Sequence, residues 1–402
     1  MYFSVWVMAF GRVYAPDISA SSNEPPPASD ESWRVTIGAA GDMVPHQGVV
    51  QTAAHQAETP DQEGDDRFDG WWYVFKRLKP SVEKADISLV NLETPLATLK
   101  NRSTSTNPLM NGPKAAADAL KETGFDILNL ANNHMFDQQR SGVSETIATV
   151  EEAGLSWIGA GRDRNSALTP TITDVNGARV AFFGWTYNSN RLPNNAKVAD
   201  PWVAKWDAAQ AEQAVEQLRG KVDIIIVSVH FDADFRFTVQ AHQQRIAKRL
   251  CRAGVDLVVG SGPHVLHPVK LIRDEISGRT CVVAYSLGNL VSNQGFKYRL
   301  NDPTPREKRS PKTCGEARDG MFLRVTFAKR KGRVVVDGIE GVALWTMNNW
   351  LRRYASPTPR QRISIVPIER ALKHHPPNPV TLKIRRQAIA RAVGDAVVLV
   401  PE

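Results

Sequence analysis

The sequence predicts an α/β protein built on buried, mainly parallel sheet, and three observations carry that prediction. Apolar runs recur from residue 33 onward: "WRVTIGAAGD", "ADISLVNLE", "FDILNLANNH", "RVAFFGWTYN", "VDIIIVSVH", "VDLVVGSGPH" and "CVVAYSLGN". Unbroken Val/Ile/Leu runs of this length mark strands covered on both faces. Stretches of helical composition, "PKAAADALKETG", "GVSETIATVEEAG" and "DAAQAEQAVEQLRG", alternate with them, as crossover connections require. Finally, strand after strand ends in Asp, Glu, Asn or His.

The chain opens on "MYFSVWVMAF", an apolar segment the length of a signal-peptide core but without a basic flank before it. It is shorter than the about 20 apolar residues a membrane span needs. "SASSNEPPPASDES" follows as a flexible Pro/Ser linker. Residues 1–32 therefore read as an export segment with its linker, and 33–345 as the main domain. Within it, "SGVSETIATVEEAG" begins at a Ser cap and ends at Gly154, and "QQRIAKRLCRAG" ends at Gly254. After Asn289 the alternation stops: 294–318 reads as an inserted loop, and "MFLRVTFAKRKGRVVVDGIEGVALW" as a hairpin turning near Gly332. Residues 346–402 are Arg- and Pro-rich and read as a basic C-terminal appendage packed on the main domain. There is no internal repeat and no apolar run long enough to span a membrane.

Hydrophobic residues make up 42% and charged residues 23%, which fits a folded, water-soluble protein and excludes collagen, coiled coil and wholesale disorder. An excess of 50 Lys+Arg over 42 Asp+Glu gives a net charge of +8 and favours anionic partners. Much of it lies in "RLNDPTPREKRSPKTCGEAR" and "KIRRQAIAR". No aromatic-interleaved basic motif accompanies these charges, so no nucleic acid is expected. Cys251, Cys281 and Cys314 fit neither a dense disulfide framework nor a C-x-x-C metal site, and do not report a compartment.

The strand ends carry the chemistry. Asp42 closes "TIGAAGD", Glu93 closes "LVNLE", Asn132, Asn133 and His134 follow "LNLA", His230 closes "IIIVSVH", His264 follows "VVGSGP" and Asn289 closes "AYSLGN". Singly, each has a plain explanation: an Asp caps a helix, an Asn makes a turn, a His is exposed or hydrogen-bonded. Together they fall where open α/β sheets bind ligands, beyond the carboxyl ends of the strands, and predict one shared polar rim. Carboxylates, an amide and imidazoles without cysteine suit Mn, Fe or Zn in an open site. Two such ions about 3.5–4 Å apart, bridged by a carboxylate, serve phosphoryl displacement.

Several neighbours could join them. Asp137 stands where it could orient His134 or simply cap a helix, and His46 follows Asp42 by one turn. Asp232 and Asp234 in "HFDADFR" could meet metal, substrate or only solvent. Ser286 in "YSLGN" lacks the G-x-S-x-G elbow, so a serine nucleophile is not expected.

The ordered set "GDM", "VNLETPL", "LANNHMFD", "SVHFDADF", "AGVDLVVGSGPHV" and "YSLGNL" resembles the CapA family, poly-gamma-glutamate capsule biosynthesis proteins with a calcineurin-like metallophosphoesterase fold. The resemblance runs from about residue 33 to 345. It implies a four-layer α/β/β/α sandwich with two divalent metal ions. Asp42 then looks like a ligand of the first metal, Glu93 like the bridging carboxylate and Asn133 like a ligand of the second, with His230 and His264 as later ligands. His134 looks like the catalytic imidazole, a task suited to a group whose ordinary pKa is near neutrality, with Asp137 holding it. Asn132, Ser286 and Asn289 would line the substrate pocket.

Two departures stand out. Many members of the family read G-H-H-P-H where this chain has Gly260, Ser261, Gly262, Pro263 and His264, which leaves His46 or His267 as the nearest replacement imidazoles. The aromatic-Gly-x-Glu that commonly follows the fourth-motif histidine is "FDAD", which leaves Asp232 or Asp234 as the acid. The expected function is a metal-dependent phosphoesterase-type site serving capsule or poly-gamma-glutamate biosynthesis or export. Its expected partners are an anionic polymer or phosphoester substrate and membrane-associated capsule machinery, and its location is exported or envelope-associated. The rival readings are a stand-alone metal-dependent phosphodiesterase or phosphatase, and a non-catalytic polymer-binding scaffold with a degraded metal site.

Overall fold

Two sheets gather the apolar runs that the sequence marks as strands. The computed structural model describes residues 31–101, 109–191, 200–275, 278–374, 376 and 378–402; the expected export segment lies, up to residue 30, outside the described residues.

The larger, nine-stranded sheet has the order β16 (Ile363–Pro367), β15 (Arg333–Asn348), β14 (Asp319–Arg330), β1 (Glu31–Met43), β2 (Ile87–Leu92), β3 (Ile127–Asn129), β4 (Ser156–Ile158). Beside that row, β13 (Asn289–Val291) pairs with β1 and β17 (Val398–Leu399) with β15. The smaller, six-stranded sheet runs β11 (Val269–Arg273), β12 (Thr280–Ala284), β10 (Leu257–Ser261), β9 (Ile224–His230), β7 (Ala178–Thr186), β6 (Thr171–Val175). A short pair, β5 (Ala160–Gly161) and β8 (Trp202–Val203), closes one corner. The helices are α1 (Gln47–Glu58), α2 (Trp71–Phe75), α3 (Lys79–Val82), α4 (Ala115–Thr123), α5 (Gln139–Glu152), α6 (Arg164–Leu168), α7 (Ala208–Glu216), α8 (Ala241–Ala253), α9 (Ile368–Lys373) and α10 (Pro379–Val393).

The pleat sorts neighbouring strand residues into different layers. Leu89 of β2 faces the small sheet and packs in one cluster with Ile37, Phe182, Ile226 and Leu257. The next residue, Val90, faces outward, in the cluster that holds Leu120 of α4 and Ile147 of α5. Likewise Phe182 and Ile226 look inward, while Phe183 and Val227 meet Val215 of α7 and Ile246 and Leu250 of α8. The result is the expected α/β/β/α sandwich. Strands buried on both faces explain why their sequences are unbroken apolar runs rather than alternating ones.

The hairpin after residue 318 is β14–β15, and its two-residue turn puts Lys331 and Gly332 at φ 50° and 76°, the primed turn that matches strand twist. The segment after residue 346 packs on the main domain and also extends its sheet through β16, while Ile368, Leu382 and Ile389 of α9 and α10 bury against the β14–β15 face. α5 starts at Gln139, ahead of the Ser141 cap the sequence suggested, because the turn from His134 runs straight into it: Asp137 N–H bonds to the His134 carbonyl and Gln139 N–H to the Phe136 carbonyl. Cys251 of α8 and Cys281 of β12 form a disulfide across 30 residues, and Cys314 is free and buried. Among the described residues no helix is long and apolar enough to cross a membrane.

One crossing matters most for the site. From β12 in the small sheet the chain passes through residues 285–288 into β13 in the large sheet, where Asn289 lies in register with Asp42. Gly41 allows the approach: a Cβ there would stand 1.9 Å from the Gly288 carbonyl oxygen.

Candidate metal centre

Parallel register lines up polar residues along one row of the large sheet. Asp42 of β1 partners Asn289 on one side and Asn91 of β2 on the other, and Asn91 partners Asn129 of β3. Buried amides must find hydrogen bonds, and these find each other. Asn129 Nδ2 donates to Asn91 Oδ1 at 3.0 Å, and Asn91 Nδ2 donates to Asp42 Oδ1 at 2.8 Å. Asn91 Nδ2 also lies 3.2 Å from His230 Nδ1 on the facing sheet, so one amide joins the two sheets at the site. His230 closes β9 beside Ser261 of β10, whose hydroxyl is 3.1 Å from the same Nδ1.

A second approach comes from the loop after β10. Gly262 donates its N–H to both Asp42 carboxylate oxygens, at 3.0 and 3.2 Å. It does so at φ +101°, with the Phe231 carbonyl oxygen where a Cβ would be, 1.8 Å away. His264 Nδ1 then sits 3.0 Å from Asn289 Oδ1 and 3.2 Å from Asp42 Oδ2, with Nε2 3.7 Å from Glu93 Oε1. His230 Nε2 approaches the same Glu93 oxygen at 3.7 Å.

Burial sets the electrostatics. It pushes the His230 imidazole down to about 3. It acts the same way on His264, but the charge of Glu93 and the bond and charge of Asp42 win and hold that imidazole up at about 10. Burial works to raise Asp42, yet His264, His230 and the Gly262 amide keep its carboxyl below the ordinary value. Glu93 is helped only by the charge of His264, and the charges of Asp42 and Asp234 add to burial against it. Burial drives it well above the carboxylate range, and neither of its oxygens has a hydrogen-bond partner.

Asp42, Glu93 and His230 each offer a ligand atom, all within 4.8 Å of one another and all buried. The residues fit a divalent cation: a desolvated carboxylate with no donor calls for a proton or a cation, and a mixed oxygen and nitrogen set suits borderline metals. Asn133 Oδ1, expected as a further ligand, is likewise buried with no hydrogen-bond partner.

The turn after β3 carries the remaining groups. Asn132 Nδ2 bonds to the Leu92 carbonyl at 2.7 Å, tying this turn to the residue before Glu93, and its Oδ1 accepts the His134 N–H at 3.2 Å. His134 Nδ1 lies 2.7 Å from Asp137 Oδ2, which also accepts the Met110 N–H at 2.7 Å. His134 Nε2 points to Asn190 Nδ2 at 3.5 Å.

The other sequence candidates divide. His46 accepts the Asn293 N–H at Nδ1 and is pushed down to about 4, by burial first and then by the charges of His264 and His134. The charge of Asp234 acts on Glu93 and His264, whereas Asp232 is engaged with Asn188 and faces His242. His267 donates to the Arg236 carbonyl at 2.7 Å and is held there. The Ser286 hydroxyl accepts the Gly288 N–H at 3.2 Å inside its own turn. Asn289 Nδ2 donates to the Ala317 carbonyl and Gln294 Oε1, both at 2.8 Å. Asn91 and Asn129 escaped the sequence reading, and Ser261 entered it only as a position without the family's imidazole. The signal for the first two was an amide inside an apolar run, "LVNL" and "ILNL".

Residues 36–294 match the family described as "Bacterial capsule synthesis protein PGA_cap". The chain is 30% identical over 259 residues to the capsule biosynthesis protein CapA of Bacillus anthracis, spanning 62% of this chain and 59% of that protein. To the PGA biosynthesis protein CapA of Bacillus subtilis it is 27% identical over 251 residues, spanning 62% and 63%. This chain therefore spans about three fifths of the length of these relatives. Among solved structures it is similar to a calcineurin-like phosphoesterase from Bacillus subtilis, with a TM-score of 0.44 and 10% identity over 88% of this chain and 99% of that one.

Proposed function

The chain belongs to the bacterial capsule synthesis protein family, and on that premise we propose that it carries a metal-dependent phosphoesterase-type site acting in the biosynthesis or export of an acidic capsule polymer. The observation that carries the reading is the buried group Asp42, Glu93 and His230 with both Glu93 oxygens unpartnered. These three residues would hold a divalent ion, Mn, Fe or Zn, and Asn133 Oδ1 and His264 would serve a second. Bound there, such ions polarise a phosphoryl oxygen and lower the pKa of a water.

The chain's own groups do the rest. Asn91 orients Asp42 and His230 at once. His134 presents Nε2 on the open side, where it can give a proton to a leaving oxygen, while Asp137 holds Nδ1–H and fixes the tautomer. Asn132 and Asn289 are tied to the backbone around the site and support the pocket wall. The Cys251–Cys281 disulfide supports an oxidising compartment and with it export.

One observation favours the scaffold reading instead: at the position where the family pattern commonly has a histidine, Gly262 spends its amide on Asp42. A single experiment decides between them. Purified protein is analysed for bound metal and assayed on bis-p-nitrophenyl phosphate with added Mn or Zn. Metal below one equivalent, together with turnover unchanged in His134→Ala, sinks the enzyme reading.

A further inference from the structure

A cavity of about 1120 Å³ lies apart from the residues of the metal centre, walled by α2, the 296–300 loop, the end of β15, β16, α9 and the start of α10. Its wall adjoins that centre: Asn289 donates to the Ala317 carbonyl, and the next residue, Arg318, lines the cavity.

Among the described residues the lining contains no Asp or Glu. Lys76 and Arg362 are neutralised by Asp65 and Asp61. Among the described residues, no carboxylate forms an ion pair with Arg77, Arg299, Arg318, Arg352 or Arg370. Among the described residues Arg77 donates to the Ser364 hydroxyl at 3.3 Å and lies 5.6 Å from the Tyr73 ring centroid, and Arg352 donates to Asn378 Oδ1 at 2.8 Å.

Arg318 is the most informative of them. It is 7% exposed, its Nε donates to the Thr346 carbonyl at 2.8 Å, and its guanidinium lies 4.2 Å from the Trp345 ring centroid. The neighbouring acid, Asp319, is taken by Arg385. Burial pushes the Arg318 guanidinium down to about 9. A guanidinium stacked on a ring keeps its in-plane N–H groups for acceptors; Nε–H is used by Thr346, and the two terminal nitrogens have no acceptor among the described residues.

The cations stand on separate elements around the walls rather than at one point, and among the described residues no glycine lines the cavity to form a backbone cradle for a lone phosphate. Between the cations lie Trp72, Phe296, Tyr298, Trp345 and Met347. Anionic heads on short apolar stems, repeated along a chain, satisfy both kinds of lining. We propose that this cavity binds a stretch of acidic peptide-like chain, its side-chain carboxylates seated on the unpaired guanidinium groups and its methylene stems on the aromatic rings. The choice of ligand rests on the acidic-polymer part of the function proposed above, and not on chemistry at the metal centre.

The test titrates the full chain with a glutamate oligomer of about ten residues, read by tryptophan fluorescence and calorimetry at rising salt. Vesicles containing anionic lipid and inorganic phosphate are the comparison probes. The oligomer is expected to bind, more weakly as salt rises, and about tenfold or more weakly in Arg318→Gln and in Arg352→Glu/Arg370→Glu. The second variant alters two exposed side chains and decides the matter if the first fails to fold.

Oligomer affinity unchanged in both variants overturns the site, as does affinity that follows His134→Ala instead. Vesicles bound in place of the oligomer, with loss in the double variant, overturn it in favour of a membrane surface, and phosphate competing at equal concentration overturns the chain-like ligand. No oligomer binding with metal-dependent hydrolysis intact overturns this inference and leaves the metal chemistry standing. Oligomer binding without hydrolysis upholds the cavity and sinks the phosphoesterase reading.

Discussion

Asp137 Oδ2 stands 2.7 Å from His134 Nδ1 and holds the imidazole from a fully buried position, with the Met110 amide as its second donor. In an assay on bis-p-nitrophenyl phosphate, His134→Ala is expected to lower kcat by about a hundred- to ten-thousand-fold. Asp137→Asn lowers it by about ten- to a hundred-fold with little change in KM. Equal rates for wild type and both variants would remove the dyad from the mechanism.

Glu93 is a buried carboxylate whose pKa burial raises well above its ordinary 4.5. The folded state therefore holds its proton more tightly than the unfolded chain does, so metal-free protein loses stability as pH rises from about 4.5 through the folded value. Glu93→Gln should flatten that fall and raise the metal-free melting temperature at neutral pH. It should also abolish the upward shift that Mn or Zn gives the wild type. Thermal melts across pH, with and without metal, report all three effects.

Gly262 takes φ +101° with the Phe231 carbonyl oxygen 1.8 Å from a Cβ position. Gly262→Ala is expected to destabilise the fold by about 1–3 kcal/mol in denaturant melts. Gly262→His, which imitates the family pattern, should leave metal stoichiometry at or below that of the wild type. A gain in bound metal would show that the loop adapts.

The Cys251–Cys281 bond ties α8 to β12 across 30 residues. Cys251→Ser/Cys281→Ser, or reduction, should cost about 2–4 kcal/mol of unfolding free energy. Mass spectrometry of alkylated protein checks that the bond forms.

Asn91 links Asp42 and His230 and is itself held by Asn129. Asn91→Leu keeps the branched shape without the polar atoms and leaves buried partners unpaired, for an expected loss of about 1–3 kcal/mol. Metal affinity, read by titration calorimetry, should fall with it.

Much of the architecture was legible because strands covered on both faces must be apolar throughout, and "VDIIIVSVH" and "VDLVVGSGPH" can hardly be anything else. The short edge strands β6 and β11 were not, because an edge strand of few residues has too little buried surface to impose a pattern. Asn91 and Asn129 were missed for a different reason: a lone amide inside an apolar run looks like noise until the register that pairs it is known.

By itself the sequence determined the layered α/β class, the polar ends of the strands and a donor set of carboxylates, amides and imidazoles, since each is a local property of composition and period. Tertiary structure alone decided which of those ends meet. Asp42 lies beside Asn91 and Asn289 because β1 pairs in parallel with β2 and β13, and His230 faces them because two sheets stack. Gly262 offers an amide and no side chain because the Phe231 backbone already fills the space beside it, and Glu93 is buried without a hydrogen-bond donor. Contacts between residues some two hundred positions apart, such as Asp42 with Gly262, follow from close packing around one core, and no local pattern encodes them.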